Sequence, residues 1–67
     1  MNVKESIEFV KNYKDPLGFD IADATNLRTK KDCIERMEEH CEWLELMIVD
    51  TIHAVERDIR KIKGATT

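Results

Sequence analysis

Between Thr29 and Gly64 the chain holds neither glycine nor proline, while apolar residues recur through the interval at helical spacing. Thr29 with Asp32 three residues on is a capping start, and Gly64 is a stop signal. The interval is about 34 residues, on the order of 50 Å of helix, against the usual 11–12 residues. Its apolar seam runs Ile34, Met37, Cys41, Leu44, Ile48, Ile52, Val55, Ile59 and Ile62, with spacings 3-4-3-4-4-3-4-3. That is a heptad pattern carrying one four-residue stutter. It is also a palindrome about Ile48, pairing Ile34 with Ile62, Met37 with Ile59, Cys41 with Val55 and Leu44 with Ile52. Two copies running antiparallel about Ile48 would set apolar residue against apolar residue along the whole length.

The expectation is therefore an all-α chain of one domain, residues 1–67. Short N-terminal helices and a loop occupy 1–28, a long dimerisation helix occupies 29–63, and 64–67 form a tail. The long helices of two copies make an antiparallel homodimer bundle with the two-fold logic of an isologous interface. The charge blocks agree with it. Asp32 to Asp50 holds seven acids against Arg36 alone, while Arg57 to Lys63 holds four basic residues against Asp58. A chain of this size buries only about 60% of its unfolded surface, so a partner chain is the expected source of the missing burial. The segment Trp43 to Val49 is apolar on more than one side. The partner's helix accounts for Leu44 and Ile48. The first helix and the Pro16–Ile21 loop account for Trp43, Leu46 and Met47.

Upstream, Asn2 with Glu5 forms a second capping pattern, and Val3, Ile7 and Val10 mark a helix ending near Lys14 before Asp15–Pro16. "FDIADATNL" reads as one to two helical turns capped by Asp20 and ending around Asn26. The stretch "SIEFVKNYKDPLGFDIADATNLRTKKDCIERM", Ser6 to Met37, resembles a helix-turn-helix domain of the winged-helix kind. Ile21, Ala22 and Leu27 stand at that family's packing positions, and Asn26 stands where its turn has glycine. No β-hairpin wing follows. The resemblance implies a DNA-binding role for Arg28, Thr29, Lys30 and Lys31 at the start of the recognition helix, where such side chains reach phosphates and base edges.

Other chemistry finds less support. Cys33 and Cys41 are eight residues apart on one helix, roughly 12 Å, too far for a disulfide. Cys33, Met37, His40 and Cys41 do not have zinc spacing, and Asp50 with His53 supplies at most half of a carboxylate–histidine site. His40 and His53 are expected to flank the interface. No phosphate-binding glycine loop or nucleophile–base pattern is present, so neither enzyme activity nor a cofactor or metal is expected. With no signal or membrane-spanning pattern, the reading is a reduced, cytoplasmic protein. Two functions remain open. One is a small dimeric DNA-binding regulator acting through Arg28–Lys31. The other is an α-helical interaction module, an adaptor or inhibitor, that docks a partner protein through Trp43, Leu46 and Met47 on an acidic, apolar surface.

Overall fold

Asn2 opens the first helix as the capping pattern requires: its side chain accepts the Glu5 amide at 2.8 Å, and the Glu5 carboxylate accepts the Asn2 amide at 3.0 Å. The computed structural model describes residues 1–47 and 50–64. It contains α1 (Val3–Lys11), α2 (Lys30–Leu46) and α3 (Ile52–Lys63), with no strand among the described residues. The all-α class is as expected; two finer expectations are not.

The first correction concerns the long helix. It ends at Leu46, with Met47 donating to the Leu44 carbonyl at 3.0 Å in a tightened last turn, and restarts at Ile52. No breaker residue marks the spot. The local sequence Ile48-Val49-Asp50-Thr51-Ile52 is dense in β-branched side chains, which lowers helix propensity without forbidding a helix. The second half then packs back along the first. Lys63 at the end of α3 reaches Glu38 in the middle of α2 at 3.9 Å, so the two run antiparallel.

The seam expected to face a second copy is consequently filled within the chain. Met37, Cys41, Leu44, Val55, Ile59 and Ile62 are all buried in one core, with Ile34 and Ile52 packed against it. Ile48, the expected centre, lies outside the described residues. A pattern palindromic about its midpoint is satisfied equally by two antiparallel copies or by one chain turned back on itself there. The intramolecular solution needs only a short loop closure and no loss of translational freedom, so it is the cheaper of the two.

The second correction concerns Asp20 to Asn26. Ala22–Thr25 form turns rather than a helix, and Asp23 has a left-handed backbone with φ 57°. A right-handed helix cannot pass through that conformation. Ile21 and Leu27 are buried on either side of the turns, and Arg36 Nε donates to the Asp23 carbonyl at 3.0 Å, holding the turn against α2. The second helix of the helix-turn-helix resemblance is thus not formed. α1 also stops at Lys11, three residues before the expected end.

The remaining joints are tight. Thr29 and Asp32 close a reciprocal capping box at the start of α2, both bonds at 3.1 Å. Gly64 ends α3 with φ 68°, the left-handed stop its sequence position called for. Tyr13, buried at the end of the first segment, donates its hydroxyl to Asp58 of α3 at 2.6 Å. Burial first, and the Asp58 carboxylate second, raise the Tyr13 phenol well above its ordinary range, so it remains a donor.

Candidate functional site

Asp15-Pro16-Leu17-Gly18 is the residue pattern of a type I turn, with aspartate first, proline second and glycine fourth. The turn forms. Gly18 donates its amide to the Asp15 carbonyl at 2.8 Å and carries φ 90°, which favours a residue without Cβ. The Asp15 carboxylate turns inward and its Oδ1 accepts the amides of Leu17 and Phe19 at 2.8 and 3.0 Å. Its Oδ2 lies 2.7 Å from His40 Nε2 on α2. Both side chains are buried, Asp15 at 4% and His40 at 6% exposure. Burial alone would raise the Asp15 carboxyl. The Phe19 amide, His40 and the Leu17 amide outweigh it and hold the group below the ordinary carboxylate range. Asp15 is therefore an anion, and the imidazole must be the donor across this bond.

The pair underlies an open groove of about 300 Å³ lined by Phe19, Asp20, Arg36, Glu39, His40 and Trp43, with Ala22. Phe19 and Trp43 meet edge to face, centroids 5.1 Å apart at 88°, and the His40 ring lies 5.5 Å from Trp43. Both aromatic residues remain 42% exposed, as does Met47, and Leu46 is 83% exposed. The shape of the fold explains this. Its Cα extents are 31 × 30 × 16 Å, about two packed helix layers in the thin direction, so each layer keeps an outer face with no neighbour to cover it. Trp43, Leu46 and Met47, at i, i+3 and i+4, share one face of α2. The first helix and the Pro16–Ile21 loop were expected to cover them; Phe19 touches Trp43 and the rest of the face stays open.

Arg28, Thr29 and Lys31 are exposed and Lys30 is half-buried at the opposite end of α2. None of the three cations forms an ion pair among the described residues. Asp32, in the first turn of α2, accepts from Arg28 N at 2.9 Å and from Thr29 N, and these bonds lower its carboxyl pKa. The reversal of α3 carries Arg57–Lys63 alongside α2, but Lys63 stops beside Glu38, about 12 Å short of Lys30 by helical rise. The two basic segments are not merged into one patch.

His40 was expected to flank an interface; its ring holds the Asp15 turn. His53 is exposed, 3.3 Å from Glu56. Cys33 and Cys41 are free and buried. Burial, then Asp32, raises the Cys33 thiol. Burial, then Glu56, Glu38 and Glu45, pushes Cys41 up to about 11. A group that titrates there is almost wholly thiol near neutral pH. Native-state alkylation by iodoacetamide is expected to run on the order of a hundred-fold slower than in urea. Rapid labelling of the folded protein would contradict the buried placement. No three His, Cys, Asp or Glu side chains converge among the described residues, and no helix there is long and apolar enough to cross a membrane.

The turn at Asp15 was legible from its residues, but the site was not. Asp15 and His40 are 25 positions apart, and nothing in either neighbourhood announces the other. Comparison with protein-family models, curated proteins and solved structures finds no match to this chain.

Proposed function

We propose that this chain is a non-enzymatic protein-interaction module that seats an apolar segment of a partner protein on the Phe19–Trp43 groove and its extension over Leu46 and Met47. The observation that carries the reading is the exposure of these four large apolar residues beside one another, while six of the heptad-seam residues are buried within the chain. Contiguous exposed apolar surface rimmed by charge is the usual mark of a binding face, with aromatic residues supplying the anchors. Glu39 and Glu42 on α2 provide that rim.

A photo-crosslinking residue at position 46 tests it in extract from the source organism. The expected result is a discrete adduct, competed by unlabelled wild type and not by Trp43→Ala/Leu46→Ala. A crosslinker at Lys11, on α1, should give none. Equal adducts from both positions, or competition by the double variant, would remove the reading.

The second reading is a DNA-binding regulator working through Arg28, Thr29, Lys30 and Lys31, and the unpaired cations at the start of α2 favour it. Against it stand the Asp32 carboxylate beside Lys30 and Lys31 and the run of glutamates along the same helix. Retention on random duplex DNA that weakens steeply with salt, and is lost in Lys30→Glu/Lys31→Glu, would restore it.

A further inference from the structure

The ligand chemistry of the groove can be read from its polar atoms. Because the Asp15 carboxylate only accepts, His40 Nε2 carries the proton, and in a neutral imidazole Nδ1 is then left as an acceptor. Nδ1 has no protein partner, yet no fully buried side-chain polar atom among the described residues is unpaired. Nδ1 therefore touches accessible space, and the cavity that His40 lines is this groove. The other polar groups at the wall are the carboxylates of Glu39 and Asp20, which again only accept. The lining donors are the Trp43 indole N–H and Arg36, whose Nε bonds the Asp23 carbonyl at 3.0 Å and whose Nη1 lies 3.8 Å from Glu39. Lys14 lies across Asp20 at 2.6 Å on the outer side. Asp15, Asp20 and Glu39 against Lys14 and Arg36 leave the neighbourhood acidic.

We infer that the groove recognises the guanidinium group of a partner protein's arginine, stacked against Trp43 and donating to His40 Nδ1 and Glu39. The exposed carboxylates and His40 Nδ1 want a donor, the excess of carboxylates wants a cation, and the aromatic wall suits a planar one. Guanidinium answers all three, whereas an ammonium group is a compact, strongly hydrated point charge that does not stack. This rests on the groove being a partner site and adds the identity of its anchor.

The sole tryptophan of the chain lies in the groove, so its fluorescence reports occupancy directly. The probes are N-acetyl-arginine amide and its citrulline and lysine counterparts, the citrulline being a neutral near-isostere of arginine. Arginine is expected to bind with a millimolar Kd, in keeping with so small a ligand, and to shift the amide resonances of Phe19, His40 and Trp43. The citrulline and lysine compounds should bind at least about ten-fold more weakly. Glu39→Gln, an exposed position, should weaken arginine several-fold, and Trp43→Ala should abolish it. A long-range nitrogen spectrum should show Nε2 protonated and Nδ1 bare. Equal response to citrulline or lysine, no response to arginine up to about 50 mM, or the opposite tautomer would each overturn the inference. Failure here with the position-46 adduct intact would leave an interaction face with a different anchor. Arginine binding without any adduct would leave the pocket standing and remove the module.

Discussion

Asp15→Ala is expected to unfold a large share of the molecule at 25 °C. The carboxylate accepts from Leu17, Phe19 and His40, and all three donors lose their partner together. Removing one member of a buried pair costs about 3–5 kcal/mol, because the group left behind stays desolvated and unpaired. A chain of this length has roughly 3–10 kcal/mol of stability in total. The thermal midpoint should fall by at least about 15 °C, followed by circular dichroism at 222 nm. The pH dependence has a definite sign. A carboxyl held below its unfolded pKa stabilises the fold above that value, and the stabilisation is lost as pH falls through the folded pKa. Wild type should therefore lose stability below about pH 4, and Asp15→Asn should be flatter over the same range. An Asp15→Ala protein with an unshifted midpoint would mean that the turn is held by something else.

Leu44→Ala is expected to cost about 2–5 kcal/mol, as truncation of a fully buried leucine leaves a cavity that the neighbours fill only in part. The more telling measurement is how that loss depends on concentration. With the seam filled inside one chain, the midpoints of wild type and variant should be independent of protein concentration over a hundred-fold range. Sedimentation should find a species near 7.9 kDa. An interface between copies would instead make both midpoints climb with concentration, by mass action. That result would return the seam residues to a dimer.

The expectations that held and failed separate along a physical line. Asn2–Glu5, Thr29–Asp32 and Gly64 worked as helix boundaries because a cap is a bond between residues three or four apart, complete within its own stretch of chain. The apolar seam was also read correctly as a seam: six of its nine positions are buried and two more pack beside them. In the folded chain its buried positions face one another. A palindromic heptad states which residues meet, and leaves unstated whether they belong to one chain or two. The Ala22–Thr25 turns were taken for helix because Asp20 and Asp23 look like caps. The left-handed backbone of Asp23 is held by Arg36, 13 positions away, and by burial of Ile21 and Leu27.

By itself, then, the sequence determined the helical class, three of the helix ends, the turn at Asp15-Pro16-Leu17-Gly18 and the identity of the apolar seam. Each of these is set by interactions a few residues long or by a simple periodicity. Only the tertiary structure decided that the seam closes within one chain, that Asp15 meets His40, and that Phe19, Trp43, Leu46 and Met47 are left facing outward. Those outcomes depend on where the chain reverses direction. Between Met47 and Thr51 that choice rests on a small difference in helix propensity, weighed against the burial gained when α3 returns along α2.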